Sequence, residues 1–206
     1  MTTLALDNVE CPRCQHKFAV TTVASFSVLG SHTDFCPLYG GSPPLFHAIV
    51  VCPRCRYADY GKGFAGAKEE PKPPRPEGEG PRLSVLERYR LAIETAQERG
   101  QDDCALADLY LRASWCARLL KEPRDERALQ EKAIEHLQRA LAGEAVPPDQ
   151  ITPNTYLVGE LYRRIGRFQE AVEWFDRVED PGSGLADLTA RMRELAWRQD
   201  ASDQLA

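Results

Sequence analysis

The chain has no apolar run near the roughly 20 residues a membrane-spanning helix needs, which argues against an integral helical membrane protein. Its first eight residues, MTTLALDN, lack a basic start and a long apolar core. They do not read as a secretory signal, and a cytoplasmic location is expected. A strongly basic region is also missing. The formal net charge over 206 residues is −5. Residues 1–64 carry five Lys/Arg and four Asp/Glu, and residues 65–206 carry 21 and 27. That balance speaks against non-specific nucleic-acid binding. Recurrent catalytic signatures are absent as well: there is no glycine-rich phosphate loop, no serine nucleophile elbow and no His-Glu-x-x-His run. Acidic residues are plentiful on the helices but no pair stands out, so the expectation is that the protein is not an enzyme.

What is present is cysteine in a particular arrangement. Two identical CPRC tetrapeptides place Cys11 with Cys14 and Cys52 with Cys55. Two intervening residues let both sulfurs of a pair turn toward one point, and two pairs make the ligand set of a closed tetrahedral zinc site. Zinc suits four thiolates because it is borderline-soft and redox-inert. Rubredoxin-like iron is the lesser alternative. The 37 residues between Cys14 and Cys52 exceed the usual ribbon spacing of about 15–20. A redox dithiol or a disulfide pair would call for a helix start or an oxidising compartment, and neither is visible. With four thiolates filled the site is structural, which suits a module of about 60 residues at the lower limit for a self-sufficient core.

The pattern divides the chain into a zinc-binding β module over residues 1–64, a Pro-rich linker over 65–81 and a helical domain over 82–206. Residues 17–29 are rich in β-branched and aromatic side chains and read as one or two strands; residues 45–51 read as another. The linker holds five prolines and no apolar pattern. Beyond it, apolar residues recur at helical spacing in six segments, near residues 82–96, 103–121, 125–142, 152–165, 167–178 and 185–197. Gly159, Tyr162, Gly166, Ala171 and Phe175 fall on the spacing of a tetratricopeptide repeat. Small residues stand where two helices would cross closely, aromatic ones fill the gap, and Gly166 allows the turn. A degenerate earlier copy is read through Ala133, Leu137 and Ala140. The fold class is therefore mostly α: a tetratricopeptide-like hairpin array preceded by a small zinc-ribbon-like β module.

The combination resembles a bacterial family of uncharacterised proteins that joins a paired CPxC zinc module to tetratricopeptide-like helices. The residues that carry the resemblance are the two CPRC motifs, Asp34 to Pro37 with Tyr39, Pro44-Leu45, and Val51 to Ala58. It implies a fold and a metal but no activity. The family's knuckles often end in glycine, where this chain has Gln15 and Arg56; both can take the left-handed conformation at modest cost.

Other residues are weaker candidates. Cys36, with His32 nearby, could be a reactive thiol or a substitute ligand, though a packed cysteine is the plainer reading. His16 could replace a cysteine as ligand. Cys104 and Cys116 lie on the apolar helical stripe, and His136 reads as part of a solvated face. Arg13, Arg54 and Arg56 sit at the knuckle tips, where they could contact phosphate. The expected function is protein or peptide binding through the helical array. The side chains of Tyr156, Glu160, Arg163 and Arg164 are assigned to the partner-binding face. A nucleic-acid-binding zinc-ribbon adaptor and a thiol-based redox sensor are the alternatives.

Overall fold

Three β-hairpins organise the first part of the chain in the computed structural model, which describes residues 1–66, 83–143, 146–179 and 184–206. β1 (Thr3–Glu10) and β2 (Lys17–Ser25) pair antiparallel from Thr3 opposite Ser25 to Glu10 opposite Lys17. β3 (Val28–Ser31) and β4 (Pro37–Tyr39) form a second pair, and β5 (Ile49–Val51) pairs with β6 (Ala58–Tyr60). β7 (Ala65–Gly66) adds to the free edge of β1. Residues 17–29 thus form two strands, as their composition implies. The strand read over residues 45–51 is shorter than expected. Pro44 opens a 3₁₀ turn over Pro44–His47, in which the amides of Phe46 and Ala48 bond back to Pro43 and Leu45, so only Ile49–Val51 is left for the ladder. The proline linker lies largely outside the described residues, and Ala65–Gly66 at its start are β structure.

The described residues include six α-helices: α1 (Val85–Glu98), α2 (Asp103–Leu119), α3 (Pro123–Ala142), α4 (Pro148–Arg164), α5 (Phe168–Phe175) and α6 (Ala186–Trp197). None is long and apolar enough to cross a membrane. The first four begin or end where local chemistry dictates. Ser84 and Glu87 form a capping box at α1, and Gly100 at φ 63° ends it; the Asp102 carboxylate caps α2; Pro123 and Pro148 occupy first-turn positions of α3 and α4.

The chain forms two compact units. One comprises Met1–Leu29 and Tyr39–Gln101, the other Gly30–Leu38 and Asp102–Ala206. This grouping differs from a division at the linker in two places. α1 belongs with the β module, because its buried stripe of Tyr89, Ala92, Thr95 and Ala96 covers β5 and β6. The Tyr89 hydroxyl donates to the Leu45 carbonyl (3.2 Å), Thr95 Oγ1 accepts from the Ala58 amide (3.3 Å), and Arg88 donates to the Phe46 carbonyl (2.6 Å). Conversely, Gly30–Leu38 belongs with the helices.

In the second unit α2 packs on α3, α4 on α5, and α5 on α6, the succession of antiparallel hairpins expected of a tetratricopeptide-like array. The α4–α5 crossing fits the repeat reading closely. A Cβ built on Gly159 would lie 2.8 Å from the Phe175 ring, and Gly166 turns the chain at φ 79°. Gly159→Val should therefore destabilise this unit by about 2–3 kcal/mol through overpacking. The gain in helix propensity, under about 1 kcal/mol, cannot offset that. All three tryptophans (Trp115, Trp174, Trp197) lie in this unit, so a urea titration followed by tryptophan fluorescence measures the loss directly.

Candidate functional site

Each CPRC motif sits at the tip of a hairpin, the first between β1 and β2, the second between β5 and β6. The two tips are built alike. The amide of Gln15 donates to the Cys11 carbonyl (2.8 Å) and that of Arg56 to the Cys52 carbonyl (3.0 Å). The amides of Cys11 and Cys52 close the tips on the carbonyls of His16 (3.0 Å) and Tyr57 (2.8 Å). Gln15 and Arg56 adopt left-handed φ values of 56° and 59°, so the positions where the family often has glycine are held by side-chain-bearing residues in the same conformation.

The tips bring Cys11, Cys14, Cys52 and Cys55 together, with all four sulfurs within 4.8 Å of one another. Cys11 Sγ lies 3.6 Å from Cys55 Sγ, and Cys14 Sγ 3.6 Å from Cys52 Sγ. A tetrahedron of thiolates at metal–sulfur distances near 2.3 Å has edges of about 3.8 Å, so the donor set fits one tetrahedral ion. The backbone prepares the sulfurs for charge: amides of Arg13 and Cys14 point at Cys11, those of Arg54 and Cys55 at Cys52, and that of Tyr57 at Cys55. Thiolates held this close would repel one another. Burial pushes Cys52 up to about 12, while at Cys55 the Tyr57 amide and neighbouring thiols outweigh burial and bring it down to about 7. A divalent cation would remove that mutual repulsion. Val9, Val50, Tyr57 and Phe64 pack around the cluster, with Phe18 edge-on to Phe64.

The remaining candidates are spread through the two units. His16 stacks on Phe18 and is not among the grouped ligands. Arg13 pairs with Glu98 (2.6 Å) and lies over the Tyr57 ring, which ties one of the three tip arginines to the fold; Arg54 and Arg56 are exposed. Cys36 is fully buried, and burial together with the Asp34 carboxylate pushes its thiol up to about 12, which opposes reactivity at neutral pH. Cys116 is buried core, as expected, and Cys104 is partly buried. His136 is not on a solvated face: it is buried against the Tyr110 ring, with Nδ1 2.7 Å from Asp103 Oδ1.

The assigned partner face is already covered. Tyr156, Glu160 and Arg163 have no exposed surface, and the Arg164 side chain is 6 % exposed. What covers them is this chain. The tip of the β3–β4 hairpin, held in a turn by Phe35 at φ 67°, inserts Thr33 and Asp34 into the helical array. The Tyr156 hydroxyl donates to the Thr33 carbonyl (2.9 Å), and the Thr33 hydroxyl donates to Glu160 (2.5 Å). Glu160 also accepts from Arg163 (2.8 Å). Asp34 accepts from Arg118 (2.5 Å) and from the Trp115 indole (3.1 Å). Burial alone would raise the Asp34 carboxyl, but Arg164, Arg118 and the Cys36 amide outweigh it and hold it below the usual carboxylate range. Asp34, Trp115 and Arg118 escaped the sequence reading. Their one signal was the Asp34-to-Pro37 stretch, whose role is now visible.

A family model described as "Uncharacterized protein conserved in bacteria (DUF2225)" matches residues 4–198. Comparison with curated proteins and with solved structures finds no match.

Proposed function

The chain belongs to the bacterial DUF2225 family, and we propose that it works as an adaptor: a module held by structural zinc, joined to a helical array that receives an extended polypeptide. The observation that carries this reading is the occupancy of α4. Tyr156 and Arg163 already bind main-chain carbonyls, at Thr33 for the first and at Asp200 and Ser202 for the second. Side chains on a helix that satisfy the backbone of a crossing segment are how helical hairpins hold peptides without reading every side chain. Zinc is favoured by the four-thiolate set. All four ligand positions are filled, so the ion stabilises the module and offers no place for a substrate. On this reading the chain is not an enzyme.

The test is affinity capture from a bacterial extract with the intact chain and with Cys11→Ser, followed by titration of any purified partner against both. The partner should bind both with affinities within about threefold, because recognition lies on the helical unit. Loss of binding with Cys11→Ser would shift recognition to the cysteine module. Capture of nothing specific by either chain would remove the adaptor reading.

A further inference from the structure

Among the groups that cover α4, Asp200–Ala206 is held differently from the hairpin tip. Its residues Gln204–Ala206 run antiparallel to Ser31–Thr33 through a single β-bridge. The Thr33 amide donates to the Gln204 carbonyl (3.1 Å), the Ala206 amide donates to the Ser31 carbonyl (3.0 Å), and His32 stands opposite Leu205. Arg163 donates to the carbonyls of Asp200 (2.6 Å) and Ser202 (3.0 Å), and Arg191 to that of Leu205 (2.7 Å). All five contacts are to main chain, so any extended peptide could make them. A single side chain is read: the Asp203 carboxylate accepts from Arg164, with Arg118 4.0 Å away and His32 Nδ1 at 3.0 Å.

The segment contributes no buried apolar anchor. Leu205 is 57 % exposed, and Ala201, Ser202, Asp203 and Ala206 are exposed too. The Asp203 side chain is 43 % exposed, and partly exposed ion pairs of this kind hold weakly. The receiving surface, by contrast, is buried and built. Among side chains no more than 13 % exposed, Arg118, Arg163 and Arg164 bring three positive charges against two from Asp34 and Glu160. The surplus is shared by Glu126 and Asp203 at the rim. Two buried nitrogens there lack a well-aligned acceptor: Arg164 Nε, 3.2 Å from Glu160 but off line, and His32 Nδ1 beside Asp203. Next to Asp203 and Ala201 is a cavity of about 330 Å³, also lined by Arg118, Arg127 and Arg164. The segment therefore fits the site without filling it.

We infer that the edge at Ser31–Thr33, with His32, Arg163 and Arg164, is a receptor for an extended peptide carrying an acidic side chain, and that Asp200–Ala206 is its built-in competitor. The inference rests on the adaptor reading and names its partner chemistry. A partner binds by displacing the segment, so its apparent affinity falls by the fraction of chains in which the site is open. Because the competitor is intramolecular, even weak contacts keep that fraction low.

The test uses the full chain and a fluorescein-labelled octapeptide with the sequence of Gln199–Ala206. In one variant Asp203→Lys is combined with Ala206→Pro, which turns the read carboxylate into a cation and removes the amide that bonds Ser31. Fluorescence anisotropy should show the octapeptide binding this variant at least tenfold more tightly than the unaltered chain. A peptide with asparagine in place of the acidic residue matching Asp203 should lose at least tenfold. Equal binding to both chains, no binding to the open variant, or indifference to the asparagine change would overturn the proposal. Should the double variant misfold by circular dichroism, the isosteric Asp203→Asn is titrated in its place, with the same ordering expected and the same results against it. These outcomes are separable from the adaptor test. A captured partner that excess octapeptide does not displace leaves the adaptor reading intact and moves its surface elsewhere.

Discussion

Cys11→Ser is expected to unfold the first unit, α1 included, while the second remains folded. Apart from the cysteines, the buried cluster at the knuckles is Val9, Val50, Tyr57 and Phe64. Side chains of this kind contribute about 1.5–3 kcal/mol each on burial. A structural zinc contributes roughly 10–16 kcal/mol of apparent folding energy in small modules, as much as all four together. Losing one thiolate opens the shell and forfeits most of it. α1 should go too, because its buried face of Tyr89, Ala92 and Thr95 has β5 and β6 as its substrate. Elemental analysis should find one zinc in the unaltered chain and none in the variant. Amide exchange should rise across residues 1–29, 39–66 and 83–101. The tryptophan unfolding transition should not move, since every tryptophan belongs to the second unit. Continued protection of α1 would separate it from the module, and a shifted tryptophan transition would show that the two units share stability.

The four-cysteine cluster was legible in the sequence because its determinant is local. A two-residue spacing and a hairpin tip fix each sulfur pair, and repetition of the tetrapeptide announces that the pairs meet. The Gly159–Phe175 crossing was legible for the same reason: repeat spacing encodes which small residue faces which ring. What covers a helix is another matter. Glu160, Arg163 and Arg164 at three- and four-residue spacing look like solvated ion pairs. They are buried because Thr33 and Asp34, from more than 120 residues away, and Asp200–Asp203, from beyond α6, lie against them. His136 misleads similarly, since its neighbours Glu135 and Arg139 suggest water, while Tyr110 and Asp103 enclose it from α2. The stripe on α1 likewise announces burial without saying against what. β1 was missed, since Leu4 and Leu6 remain about half exposed and its partner strand, not its own composition, makes it a strand.

The buried network on α4 yields the second large effect. Asp34→Ala should destabilise the second unit by about 3–5 kcal/mol, the usual result of removing one partner from a buried ion pair. Four donors face the fully buried Asp34 carboxylate: Arg118 through two nitrogens (2.5 and 3.2 Å), the Trp115 indole (3.1 Å) and the Cys36 amide (3.3 Å). Alanine leaves the indole and the amide with no acceptor and Arg118 with Glu126 alone among its close partners. The hairpin tip would then lose its main anchor, while Thr33 keeps Glu160 and Tyr156. Because folding lowers the Asp34 pKa, its contribution is fully present above the unfolded value of about 3.9 and fades as pH falls through the lower folded value. Asp34→Asn keeps the size and one acceptor oxygen but not the charge, so its deficit should be largest at neutral pH and shrink in acid. Urea titrations by tryptophan fluorescence at pH 7 and pH 3 measure both terms. A loss below about 1 kcal/mol at neutral pH, or an asparagine deficit that does not shrink in acid, would mean that the Asp34–Arg118 pair does not anchor the hairpin tip.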